Sequence, residues 1–533
     1  SGDADASILR AEVEVADGRV ADARTRLEAA RDSHPERPDL WFALATLADR
    51  EGDWDLATSV LGDAEQRLID SVDLRLARAR HWVLRGIQDD SVRELLRSLE
   101  ADGERFSEDE RARLQLELGS IYRSAGLFSE AERLWIQVTR EDANNLFARM
   151  ALFDLAVQTS NEADLSRWVE EIKRVEGQDG SNWRYAEAVR LLRLARNGNR
   201  QALGQAQALL LDIEKQRPTW ARVAVARAEV DELRGQVDAA IQKYQRAMEL
   251  GERSPRVLQR VVRLLCDCGR VQEADRVIRT LGTGVPLSGA LASLGSAVSL
   301  EMQDSNRAVE LARQALAADP RDPNKQILLA IALNAAGEQE KATEELRQAI
   351  QEPNCVPAAW AMLISQLART GKEVEVESLL TKAQTKFSPD HLALAQCLEA
   401  AAQRERAELE YQAALQAKPN DVTVLKAVVS FELRSGHAAK AEPYLRKMLR
   451  EAGDSNDGDA VWTRRVLAGT LATLGGYDRF VEALQLIERN IGEGRDFAVE
   501  DMRVKALILA SLNLPGHKRE LIKIFGEMNR KQP

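Results

Sequence analysis

The chain has 533 residues, of which 44% are hydrophobic and 30% charged; that is ample for packed cores and excludes a disordered chain. Aromatics at 5% make those cores mostly aliphatic. A net charge of −11 argues against a nucleic-acid binder that works through a broad phosphate-contacting surface.

Four cysteines, Cys266, Cys268, Cys355 and Cys397, are too few for a disulfide framework. Cys266 and Cys268 form C-x-C rather than the C-x-x-C of zinc and redox sites, and all four read as small apolar helix positions. The five histidines (His34, His81, His391, His437, His517) contain no H-x-x-H or H-x-x-x-H pair, so no metal site is expected. The longest purely apolar run, Ile327 to Leu333, is seven residues long; a bilayer needs roughly 20. No membrane insertion within this chain is expected, and no signal peptide precedes the first periodic segment. The Ser1-Gly2 start without Met reads as a tag scar or a cut from a longer protein. The cysteine scarcity fits a bacterial cytoplasm, a periplasm or a cell surface equally.

A period governs the chain from its first residues. Ala11, Gly18, Ala23, Leu27, Ala30 and Pro35 fall at positions 8, 15, 20, 24, 27 and 32 of a repeating frame. With Pro38 as position 1, Trp41, Leu44, Ala45, Gly52, Ala57, Leu61 and Ala64 fall at 4, 7, 8, 15, 20, 24 and 27. Residues 71–106 keep helical periodicity at Leu74, Ala77 and Trp82 but lose the alanines. The frame resumes at Leu118, Gly119, Tyr122, Gly126, Ala131 and Trp135, then weakens over 145–217 around Phe153, Trp168 and Trp183. It returns with Ala228, Gly235, Ala240, Tyr244 and Ala247, then Gly269 and Ala274, then Ala308, Ala315 and Pro320. Leu329, Ala330, Gly337, Ala342, Leu346 and Ala349 form the cleanest unit. Trp360, Leu363, Gly371, Leu380 and Ala383 follow, then Leu394, Ala395, Ala407, Tyr411 and Ala414, then Gly436, Ala441 and Leu445. From Asp459 on, Trp462, Ala468, Gly475 and Ala483 fit only with an inserted residue or two. The stripe Leu521, Ile524, Phe525, Met528, followed by Arg530 and Lys531, predicts the second helix of a final hairpin.

The spacing has physical reasons. Small residues at 8, 20 and 27 let two helices cross closely, and large ones at 4, 7, 11 and 24 fill the gap between neighbours. Glycine at 15 suits the left-handed turn after the first helix. Pro35, Pro218, Pro320, Pro353, Pro389 and Pro419 end periodic stretches. Pro443 lies inside a second helix, where it is either tolerated in the first turn or kinks it.

This pattern resembles the tetratricopeptide repeat, a helix-turn-helix unit of 34 residues. The resemblance implies an all-α fold, an α-solenoid wound as a right-handed superhelix of about 14–15 helix-turn-helix units. It also implies protein or peptide partners in a concave groove lined by the first helices. The expected organisation is a repeat array over 1–281 with degenerate units at 71–106 and 145–217, and a loop or hinge at 282–289. A regular array over 290–450 follows, then degenerate repeats and capping helices over 451–533.

The groove positions are 2, 5, 6, 9, 12 and 13. The family's carboxylate clamp of Lys, Asn and Arg at these positions is absent: Phe42 and Thr46 hold 5 and 9 in one unit, and Ala226 holds 6 in another. From Pro255 as position 1, however, Arg256, Gln259, Arg260 and Arg263 hold 2, 5, 6 and 9, and the three arginines share a helix face at i, i+4 and i+7. Guanidinium recognises carboxylate bidentately, so this face reads as a docking point for an acidic peptide. The blander reading, which weighs more, is a solvated face whose arginines pair with Glu229 and Glu232 of the preceding unit. Trp41, Trp135 and Trp360 read as packing residues, and Trp54 as hairpin packing.

No phosphate loop, G-x-S-x-G elbow or H-E-x-x-H motif is present, so neither catalysis nor a cofactor is expected. The leading reading is a non-catalytic interaction scaffold. The alternative is an accessory array, cut from a larger enzyme or membrane-anchored protein, that selects its substrates or partners. RNA binding by helical repeats is disfavoured, since the groove is acidic or apolar on balance. Partner identity and oligomeric state are not encoded legibly.

Overall fold

A computed structural model describes residues 2–85, 90–101, 103–281, 287, 289–453, 455, 457–492, 499–512 and 517–531. Among them are thirty α-helices, one short 3-10 helix and no strand. The chain is therefore all-α, a solenoid of helical hairpins. It divides into two compact units, the first ending at Leu233 and the second beginning at Arg234. Six hairpins lie wholly in the first unit and eight in the second. The loop or hinge expected at 282–289 falls almost entirely outside the described residues.

The hairpin Pro38–Glu51 and Trp54–Arg67 shows how the sequence builds each repeat. Pro38 opens the first helix at a position where its missing N–H costs nothing. Gly52 stops it in the left-handed conformation (φ 74°), with the Asp53 N–H closing on the Ala48 carbonyl at 2.9 Å. The Asp53 carboxylate then accepts from the Leu56 N–H at 3.2 Å and starts the second helix. Ala45, Ala57 and Ala64 are buried at the crossing, between Trp41, Leu44 and Leu61. The first helix of one hairpin packs on the first helix of the next, as Pro38–Glu51 does on Val72–Leu84.

The degenerate units keep this geometry by other means. Counted from Leu146, Phe153 and Leu165 hold positions 8 and 20, where alanine stands elsewhere, and both are wholly buried. Ser160, at position 15, adopts φ 61° in place of glycine. In the loop 176–182, the Glu176 carboxylate accepts from the backbone N–H groups of Ser181, Asn182 and Trp183 at 3.1, 2.8 and 3.0 Å. An acidic side chain left over from one helix thus caps the next. In 71–106 the second helix is short, Asp90–Ser98, and a 3-10 turn, Gly103–Arg105, follows it. Buried Arg75 donates to the carbonyls of Leu99 and Ala101 at 2.8 and 2.6 Å and so ties that irregular segment down.

Helix Ala438–Ala452 runs through Pro443. The carbonyl freed by the missing N–H is that of Ala439, an exposed residue in the first turn of the helix. In the last hairpin, Ile524 is buried against Met502, Ala506 and Leu509 with Leu521 and Met528 half-buried beside it, while Phe525 stays 54% exposed.

Candidate functional site

Helix Pro255–Asp267 is the first helix of its hairpin and packs on the next first helix, Gly289–Glu301. Its six apolar residues Val257, Leu258, Val261, Val262, Leu264 and Leu265 are buried. That choice of buried face leaves Arg256, Arg260 and Arg263 exposed along one side, with Gln259 half-buried between them. Pro255 stands in the first turn, preceded by Ser254.

The same face changes sign toward the helix C-terminus. Asp267 reaches solvent, yet the protein packed around it raises its carboxyl above the ordinary carboxylate range, with Arg260 and Arg263 pulling the other way. Burial pushes the Cys266 thiol up to about 11, and the carboxylates of Glu301 and Asp267 add to the rise. That shift favours the neutral thiol over the thiolate at physiological pH. Arginine and carboxyl groups are segregated along one helix: three guanidiniums on its first turns, Asp267 at its end and Glu301 on the next first helix. Such a face can hold an anionic segment at one end while repelling it at the other.

Glu229 pairs with Arg196 at 3.0 Å within the first compact unit. Trp41, Trp135 and Trp360 are core residues at 2%, 0% and 5% exposure. Trp54 begins the second helix of its hairpin, half-buried. Among the described residues, no three His, Cys, Asp or Glu side chains cluster as a metal site would require. No helix among them is long and apolar enough to cross a membrane.

Two polar arrangements escaped the sequence reading. His81 is buried, with Nδ1 2.6 Å from Asp49 Oδ1 and Nε2 2.9 Å from the Thr58 hydroxyl, and joins three helices; a lone histidine gives no sign of this. Gln115 is buried at position 4, where Trp41 and Trp360 stand in their hairpins. A polar residue at a packing position was a readable signal.

Tetratricopeptide repeat families match the chain over residues 8–71 and 182–354. Hairpins outside those segments, such as Glu108–Ser124 with Phe128–Glu141 and Val422–Arg434 with Ala438–Ala452, repeat the helix-turn-helix pattern. The chain is a tetratricopeptide repeat protein. Repeats of this family generally mediate protein–protein interaction.

Two solved structures are similar to the repeat protein. One is the APC/C hetero-tetramer Cut9-Hcn1, at 16% identity and a TM-score of 0.37, covering 99% of this chain and 94% of that one. The other is a tetratricopeptide repeat protein from Parabacteroides merdae ATCC 43184, at 15% identity and a TM-score of 0.31, covering 49% of this chain and 98% of that one. Likenesses at these TM-scores carry no argument about function. A comparison with curated proteins finds no match.

Proposed function

We propose that this tetratricopeptide repeat protein is a non-catalytic scaffold that binds a peptide or a segment of a partner protein along its first helices. Arg256, Gln259, Arg260 and Arg263 contact an acidic stretch of that partner. The observation that supports this reading is the segregation within Pro255–Asp267: one side buried and apolar, the other carrying three exposed arginines on a chain whose net charge is −11. Guanidinium groups exposed along one side can each take a carboxylate of such a partner.

A fluorescein-labelled peptide rich in Glu and Asp is titrated against the full chain and against Arg256→Ala/Arg260→Ala/Arg263→Ala, with a neutral peptide of equal length as control. The reading expects the acidic peptide to bind the wild type, more weakly at higher salt. The triple variant should lose at least about tenfold in affinity, or about 1.4 kcal/mol. Equal binding by the variant, or no preference for the acidic peptide, overturns it.

A further inference from the structure

Position 4 of the repeat fills the space between neighbouring hairpins, and Trp41 and Trp360 do so in theirs. In the hairpin Glu108–Ser124 and Phe128–Glu141 the residue is Gln115, too short and too polar for that task. Beside it lies a cavity of about 610 Å³, within the range of small-ligand sites. Its polar wall is Glu100, Arg105, Arg111, Gln115, Gln137 and Glu141, with leucines behind.

Gln115 is 8% exposed and its Oε1 has no hydrogen-bond partner; neither does the buried Nε of Arg111. Buried polar groups are ordinarily paired, so an unpartnered acceptor and an unpartnered donor on two residues that line one cavity point to a ligand that supplies both complements. Glu100 already accepts from the Tyr122 hydroxyl at 2.6 Å and from Arg133 at 2.7 Å. Glu141 accepts from Gln137 Nε2 at 2.9 Å and lines the same cavity. Two guanidiniums and two carboxylates line the space, which disfavours a polyanion and suits a ligand carrying both charges.

We propose that this cavity binds a small zwitterion of the amino-acid type. Its carboxylate takes the Arg111 N–H, and its ammonium donates to Gln115 Oε1 on the side of Glu141. The site is independent of the arginine face on Pro255–Asp267.

The test is isothermal titration calorimetry of the full chain with the twenty L-amino acids, followed by the amide and N-acetyl forms of any that bind. At least one amino acid should bind with a Kd of about 1 mM or tighter. Masking either charge should weaken it at least about tenfold. Gln115→Trp fills the cavity as Trp41 fills its own, and Arg111→Met removes the donor while keeping the stem; both should abolish binding. A thermal melt checks that each variant is folded, and Arg111→Met decides if Gln115→Trp is not. The proposal is overturned if no amino acid binds, if the masked forms bind as well, or if binding survives in a folded variant.

Discussion

The indole of Trp135 occupies the space into which a side chain on Gly119 would grow: a Cβ there would stand 2.5 Å from Trp135 Nε1. Trp135 is wholly buried, and its Nε1 donates to the Leu116 carbonyl at 3.1 Å, so the ring cannot swing away cheaply. A large residue at position 24 demands a small one at position 8. Gly119→Ala should therefore destabilise by about 1–3 kcal/mol. Gly204→Ala, on an exposed helical site with nothing near its Cβ, should stabilise by about 0.5–1 kcal/mol. Urea unfolding of both variants reads the contrast, and a Gly119→Ala chain as stable as wild type would disprove the packing.

Among the described residues, three turns carry a left-handed residue that is not glycine. Gln303 and Ala402 hold φ 61° and 60° at position 15, as Ser160 does in its unit. The left-handed form costs an L-residue about 1–2 kcal/mol, more than the roughly 0.5–1 kcal/mol of chain entropy that glycine adds. Ala402→Gly and Gln303→Gly should each raise the unfolding midpoint. Gly337→Ala, at φ 82° in the cleanest repeat, should lower it. Differential scanning calorimetry distinguishes these signs.

Ala342 and Ala407 are wholly buried where two helices cross. A glutamate at either place buries an unpaired charge, and the hairpin should open rather than hold it. In a solenoid the damage spreads only as far as neighbour interfaces carry it. Hydrogen exchange should therefore show lost protection in the altered hairpin and its neighbours, with distant hairpins unchanged. Wild-type protection in Ala342→Glu or Ala407→Glu would mean the helices cross elsewhere.

Acid should loosen specific ties. Hydrogen bonds from Arg75 hold the Asp70 carboxyl below the usual range, and those from Arg37 do the same for Asp39. A carboxyl depressed in the folded state contributes stability that is fully present above its unfolded value, about 4. That contribution is lost as pH falls through the lower folded value. Asp70→Asn should show a lower midpoint at pH 7 and a shallower fall below pH 4, about where wild type drops. Parallel pH profiles for the two chains would exclude the linkage.

The repeat frame was legible because each of its positions answers to a contact made within one hairpin. Gly52 ends a helix and Ala45 admits a crossing helix whatever the rest of the chain does. The degenerate units hid for the opposite reason. Phe153 and Leu165 place bulk where the frame expects alanine, and the fit depends on both together, which no single position reveals. Glu176 caps a helix that has not yet begun where it stands in the sequence. The arginine face was legible as a face, since Arg256, Arg260 and Arg263 fall on the side opposite Leu258, Val262 and Leu265. Gln115 and Arg111 passed unread because a cavity arises from three segments at once: the 3-10 turn at Gly103–Arg105 and the two helices after it.

Hydrogen exchange of the full chain with and without a bound acidic peptide tests the scaffold reading most directly. The account predicts added protection concentrated in Pro255–Asp267 and reaching the adjoining helix Gly289–Glu301, with none in the Arg256→Ala/Arg260→Ala/Arg263→Ala variant. Protection that falls elsewhere, or that persists undiminished in the triple variant, would contradict it.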